Sequence, residues 1–242
     1  MKIFDRIPLD WTDLQNMVGQ LFIELNCNVE VGAKVQLVRG WKEIDVLAED
    51  PHTFPPSRYA IECKYWNSSV PQEVVHSFRT VVADFGAHRG IIVSKVGFQS
   101  GSYEAAKNTN VDLFTFDELQ QVFFERWKNA IPARFMPYAD CLFPYWSPTG
   151  GKRVPSHWSE VEQSQLRLLL DAYHPFVLIG PSSLSGRFGF RIKLPMVLPI
   201  VDDSFSKIGE RTIVSYRDYS DFLDENKAVA LDRYRRLFAE KS

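Results

Sequence analysis

Two short segments carry side chains able to do chemistry at strand spacing: Glu43-Ile44-Asp45 and Glu62-Cys63-Lys64. Residues two apart in a strand share a face. The spacing therefore predicts that Glu43 and Asp45 point one way, with Ile44 and Val46 opposite. It likewise puts Glu62 and Lys64 on one face, with Ile61, Cys63 and Tyr65 behind. If these strands pair, three carboxylates and one ammonium gather on an otherwise apolar sheet. Like charges side by side cost free energy unless a cation neutralises them. Oxygen donors alone suit a hard ion such as Mg²⁺, with Mn²⁺ as a substitute. Such an ion polarises a phosphoryl oxygen and acidifies water. A lysine beside it can orient or deprotonate that water. The backbone carbonyl of Cys63, between the two polar side chains, is a further candidate ligand. Alone, each segment is more often a solvated strand face. Two of them, separated by a long loop and bracketed by helices, favour a site.

The elements that must position these residues follow from periodicity. Trp11, Leu14, Val18, Leu21, Phe22 and Leu25 recur at helical spacing over 11–25. Strands are predicted at 28–31, 40–48, 59–65, 90–94 and 111–114. Helices are predicted at 74–85, 103–108 and 117–129, and the proline-bearing stretch 50–58 is a loop. The order gives an α/β layer architecture, a mixed sheet flanked by helices, over residues 1–129. Residues 130–155, rich in proline and aromatics, read as an ordered connector. Ser159 followed by Glu162 signals a capping box. A helix to about 173, strands near 176–180, 188–200 and 212–216, and a helix near 221–239 complete a smaller α+β C-terminal domain, residues 130–242. Its role is open, with DNA or a partner protein as the candidate ligand.

Composition sets the frame. The chain has 242 residues, 45% hydrophobic and 24% charged, the balance of a folded globular protein. No apolar run is long enough to span a membrane, and Met1 to Arg6 holds no signal-peptide core, so the expected location is the cytoplasm. The three cysteines, Cys27, Cys63 and Cys141, have no CxxC spacing and sit among apolar neighbours, so each is expected to be a buried thiol. Residues 1–125 hold 11 Lys and Arg against 17 Asp and Glu, net −6, whereas residues 126–242 are net +4. An acidic first half is no DNA-binding surface by itself, but it can gather divalent cations, and the basic half can supply phosphate contacts.

Weaker candidates lie around the two segments. Gln72, His76 and Arg79 open the helix after Lys64, and Arg79 can meet phosphate; Ser94 and Lys95 end a strand and can touch a nucleic-acid backbone. An exposed helix face accounts for the first group as well. Gly150-Gly151-Lys152-Arg153 lacks P-loop spacing and reads as a turn, as does 182–187. Arg233 and Arg236, three apart, can form a phosphate-binding stripe on the last helix or a solvated face.

The ordered series resembles the PD-(D/E)XK nuclease superfamily, and more closely the Mrr-like restriction endonuclease domain. An acidic residue (Asp45), a loop, and Glu62-Cys63-Lys64 on the next strand match, together with segments at 14–18, 70–78, 90–98, 105–107 and 111–119. The likeness covers roughly residues 11–120. It implies a restriction-endonuclease-like fold and a Mg²⁺-dependent DNA endonuclease, serving restriction or another defence against foreign DNA. Asp45 and Glu62 would bind the metal and Lys64 would serve the nucleophilic water. Gln15 stands where the family often carries an acid; it can support the site through its amide, and Glu43 can compensate for the missing charge. Two other readings fit the same residues: a catalytically silent binding or assembly module, and a junction-resolving nuclease. A homodimer or a subunit of a defence system are the assemblies such a domain suggests.

Overall fold

The computed structural model describes residues 2–38, 40–146, 154–179 and 191–239. Two compact units are present, Met1–Trp127 and Lys128–Ser242. The first unit opens with α1 (Trp11–Glu24), followed by β1 (Asn28–Leu37), β2 (Gly40–Asp50) and β3 (Ser57–Lys64). After these come α2 (Gln72–Phe85), β4 (Arg89–Ser94), α3 (Ser100–Ala106), β5 (Val111–Thr115) and the start of α4 (Phe116–Trp146). The five strands form one sheet in the order β1-β2-β3-β4-β5. β1, β2 and β3 pair antiparallel, whereas β3, β4 and β5 pair parallel. This is the mixed sheet with flanking helices that the periodicity predicts.

Each helix is held by an apolar stripe. On α1, Leu14, Met17, Val18, Leu21 and Phe22 are buried. Asp10 caps its N-terminus by accepting from the Asp13 amide, and Asp13 in turn accepts from the Leu9 amide and pairs with Arg6. The Arg6 hydrogen bonds, first, and the Leu9 amide, second, hold the Asp13 carboxyl down at about 2. On α2, Val75, Phe78, Val81 and Val82 pack with Ala33, Val35, Ile44, Ala60, Ile92 and Val111 into one cluster. β4 is buried at five of its six positions, as a central parallel strand should be.

The second unit holds the remainder of α4, then α5 (Glu160–Ala172), α6 (His174–Val177), β6 (Met196–Val201), β7 (Lys207–Ile213) and α7 (Tyr216–Ala239). β6 and β7 form a two-stranded antiparallel sheet. The capping box is made on both sides, Ser159 and Glu162 exchanging side-chain and backbone bonds. Tyr145 stacks on Tyr234, whose hydroxyl accepts from Trp146 Nε1, and the buried Tyr219 donates to the Pro175 carbonyl.

Several expectations for this unit are corrected. The connector expected at 130–155 is helical to Trp146, although Pro132, Pro137 and Pro144 lie within α4. Ile131, Phe135, Ala139, Leu142 and Tyr145, at spacings of three and four, are all buried. Four large side chains at about 1.5–3 kcal/mol each match the cost of about 3 kcal/mol for each interior proline. The run from 176 is not a strand: Pro175 occupies the first turn of α6, and Phe176 and Ile179 are buried at helical spacing. Of the strand expected at 188–200, residues 188–190 lie outside the described residues, and among the described ones the strand begins at Met196, after Pro195, which has no amide to donate. The next strand lies earlier than 212–216, and α7 starts at Tyr216 because Ser215 and Asp218 cap each other's backbone. Cys27 and Cys63 are buried, but Cys141 is exposed, on the side of α4 away from its buried stripe. The turns expected at 150–153 and 182–187 lie outside the described residues.

Gly90 marks the tightest junction between α2 and the sheet. A Cβ there would lie 2.6 Å from Val82 Cγ2, 3.0 Å from Val111 Cγ2 and 3.1 Å from Phe78 Cε1. Gly90→Ala should therefore destabilise the protein by about 1–3 kcal/mol through overpacking, read as a lower urea midpoint at unchanged m-value.

Candidate active site

The site lies where two strands part. β2 pairs with β3 from Asp50↔Ser57 as far as Val46↔Ile61, and there the pairing ends, while β1 and β2 stay paired out to Leu37↔Gly40. Next along β3, the Cys63 amide therefore needs an acceptor that β2 no longer supplies. Asp45 Oδ2 takes it, at 2.7 Å.

The side-chain alternation slips at this point. Ile44 and Leu47, three apart, both pack on the cluster beneath α2. On β1, Val31 faces Gly19 of α1, whereas Ala33, two residues on, faces α2. Between them Gly32 has φ +68°, a left-handed conformation that glycine adopts without cost. The flanking pairs Val31↔Val46 and Ala33↔Ile44 put Gly32 directly opposite Asp45. Both strands of the hairpin thus turn over together at the fork.

Asp45 and Glu62 are both 9% exposed. The Asp45 pKa is raised, chiefly by burial and further by the Glu62 charge; the Cys63 amide, Lys64 and Gln15 act in the opposite direction. Lys64 Nζ contacts Glu62 Oε1 at 2.5 Å and lies 5.3 Å from the centre of the Trp66 ring. The Cys63 thiol is fully buried, and that burial lifts its pKa far above the ordinary thiol range, so it is no nucleophile. The Cys63 carbonyl accepts from Trp11 Nε1 at 3.1 Å, which pins β3 to the start of α1 and leaves the oxygen its second lone pair. Gln15 is 5% exposed and its side chain draws the Asp45 pKa down, though its Nε2 makes no hydrogen bond of good geometry. Glu62 and Lys64 open into a cavity of about 330 Å³, lined also by Lys42 and Trp66 and by Glu73 and Ser77 of α2.

The predicted residues thus separate into those at the fork and those away from it. Asp45, Glu62, Lys64, the Cys63 backbone and Gln15 come together. Glu43 does not: it is exposed, with Oε1 over Gly32, and among the described residues no three carboxylate, imidazole or thiol groups gather. The slip at Asp45 is the reason. The Gln72 amide lies against Gly101 of α3, and Arg79 donates to the Ala105 carbonyl, so both brace α3. Ser94 is buried and closes a turn with Gly97. Lys95 stays at the surface, donating to Asn67 and stacked 4.3 Å above the Tyr65 ring. In the second unit Arg233 and Arg236 both engage Asp203, and Arg233 also donates to the Tyr173 hydroxyl; they do not form a free stripe. Lys42 and Trp66 have no motif signal of their own. They are found only once the strand turns over.

A divalent cation fits this donor set. Two buried carboxylates, one holding its proton more tightly than usual, lie next to an amide whose nitrogen has no partner. Turning the Gln15 amide over would present Oε1 instead, giving oxygen donors throughout.

Residues 8–123 match the family model Mrr_cat, described as a restriction endonuclease. No curated protein matches the chain significantly. A crystal structure described as a protein of unknown function, AF1548, is similar at 15% identity and a TM-score of 0.40, covering 89% of this chain and 96% of that one. Among the described residues no helix is long and apolar enough to cross a membrane. The match over 8–123, on a mixed five-stranded sheet that forks at Asp45, makes the first unit a member of the Mrr-type restriction endonuclease family, within the PD-(D/E)XK nuclease superfamily.

Proposed function

We propose that this chain is a metal-dependent DNA endonuclease, and that Asp45, Glu62 and Lys64 carry the reaction. The supporting observation is the pair of buried carboxylates beside Lys64 at the fork, in a unit that belongs to a nuclease family. Hydrolysis adds water across one P–O bond, leaving a phosphate monoester and a hydroxyl. Asp45, Glu62, the free lone pair of the Cys63 carbonyl and the Gln15 amide oxygen would hold Mg²⁺, or Mn²⁺ in its place. When bound, the ion supplies positive charge to the phosphoryl group under attack. Lys64 orients the attacking water, and Glu62 keeps its ammonium at the mouth of the cavity. Trp11, through the Cys63 carbonyl, fixes the strand on which Glu62 and Lys64 ride. Restriction or another defence against foreign DNA is the role we infer for the nuclease. Recognition of the target or of a further subunit, including a second copy, falls to residues 130–242.

The test is cleavage of plasmid and phage DNA, modified and unmodified, with Mg²⁺ or Mn²⁺. Lys64→Ala should lower the cutting rate by about 10²–10⁴-fold, the contribution of a group positioned on the reacting water, and Asp45→Ala, which removes a proposed metal ligand, should lower it at least as far. Loss in both, with chelator abolishing wild-type cutting, supports the reading. DNA bound but never cut, by the wild type with either metal, would assign the chain to binding or assembly instead.

Stability gives a second test. A carboxyl whose folded pKa is raised resists ionisation in the native state, so its charge destabilises the fold as pH rises through the raised value. Asp45→Asn keeps an acceptor for the Cys63 amide and removes that charge. In chelator, its melting midpoint should exceed that of the wild type at pH 8 and converge with it near pH 4. Adding Mn²⁺ at 100 times its Kd should stabilise the wild type by about 2.7 kcal/mol and Asp45→Asn far less.

A further inference from the structure

Lys42 opens the same cavity from the side opposite α2. It belongs to β2, pairs with Val35 across the hairpin, and lines the cavity with Glu62, Lys64 and Trp66. The turn of the strand at Asp45 puts it there: Lys42 and Ile44 face α2, whereas Glu43 faces out with Lys34, Gln36 and Trp41. Its ammonium is exposed and makes no ion pair or hydrogen bond with the described residues; the same holds for Lys34 on the outward face, but of the two only Lys42 lines the cavity. Lys64 is engaged by Glu62, Lys95 by Asn67, Arg79 by Ala105, and Arg89 by Asp112. An unpaired cation lining the same cavity as Glu62, which adjoins Asp45, suits a ligand that is itself anionic and extended. It can then meet the lysine while its neighbouring group lies over the acids.

We propose that Lys42 binds a phosphate of the nucleic-acid backbone adjacent to the one that is cut, and so sets which phosphate lies over Asp45 and Glu62. This rests on the nuclease reading above. Lys42 is a positioning residue: it holds the strand and takes no part in orienting the water, the role assigned to Lys64. An ammonium contact to one phosphate is independent of base sequence and releases about one condensed counterion.

The experiment measures binding of a short labelled duplex without divalent cation, over a series of salt concentrations, and cleavage kinetics with Mn²⁺. Wild type is compared with Lys42→Ala, Lys42→Arg, Lys64→Ala and the control Lys34→Ala, on the outward face of the same hairpin. Lys42→Ala should weaken binding about 3- to 10-fold and lower the slope of log K against log salt by about 0.9. Its cleavage defect should appear in KM. Lys42→Arg should restore both, and Lys34→Ala, which removes the same charge, should change neither. Equal affinity and salt slope in Lys42→Ala and wild type would overturn the inference while leaving the nuclease reading intact, provided that Lys64→Ala is inactive. A loss of kcat at unchanged affinity would overturn it too, since Lys42 would then act in the chemistry. Wild-type protein that neither binds nor cuts DNA would remove both readings together. Binding without cutting would still decide the matter for Lys42 through its affinity and salt slope.

Discussion

The candidate site depends on one hydrogen bond, from the Cys63 amide to the Asp45 carboxylate. A strand that leaves its partner exposes a row of backbone groups that must be satisfied. Here β2 leaves β3 just past Val46, and the first amide it abandons is taken by a side chain of β2 itself. The acceptor is a carboxylate, so the same bond that closes the fork also brings a negative charge inside. Burial resists that charge and raises the Asp45 pKa, and Glu62 adds to the effect. The neighbouring groups then make sense as a response. Lys64 sits against Glu62, and Trp11 ties the Cys63 carbonyl to α1. The arrangement leaves two acids together, with one lysine between them and solvent. That imbalance is what a cation-dependent site requires.

Much of this was legible in the sequence, and the part that was not has a single cause. Alternation correctly paired Glu62 with Lys64, because β3 is regular and paired with β4 from Tyr59 to Lys64, while Asp45 joins them through the Cys63 amide. It failed for Glu43, because alternation assumes an uninterrupted strand. Gly32 and Asp45, opposite each other, turn the hairpin over, and every residue of β2 before Asp45 changes face. Glu43 moves out to solvent and Lys42 moves in. Gly32 was the only available signal, since a glycine inside a strand often marks a bulge or a twist. Its position opposite Asp45, however, depends on the hairpin register, which the sequence does not specify.

In the second unit the misreadings come from local rules overruled by packing. Three prolines argue for a broken chain after residue 130, but the buried stripe from Ile131 to Tyr145 keeps α4 continuous. A short apolar run at 176 fits a strand or a helical turn equally, and Pro175 with the buried pair Phe176 and Ile179 selects the turn. Capping signals, by contrast, held: Ser159 with Glu162 starts α5 where the sequence places it. A cap is satisfied by residues three apart and needs no distant partner, so sequence alone can specify it.

The acidity of the first half is the remaining difficulty for a protein that would bind a polyanion, and what matters for it is where the charges lie rather than their sum. Residues 1–125 are net −6. Arg6, Arg89 and Lys2, already in that sum, pair with Asp13, Asp112 and Asp117, and Arg126, just outside it, pairs with Asp50, so the excess acid lies on other residues. Opposite charges a few ångströms apart cancel at the distance of a passing ligand, and salt screens what remains beyond about 10 Å. The potential a nucleic acid meets is therefore that of the groups nearest it, not that of the whole unit. At the fork these are two buried carboxylates, whose field a divalent cation reverses, and the ammonium groups of Lys64 and Lys42 at the rim. An acidic unit can in this way present a locally cationic rim, and under the proposed function a bound cation would add to it.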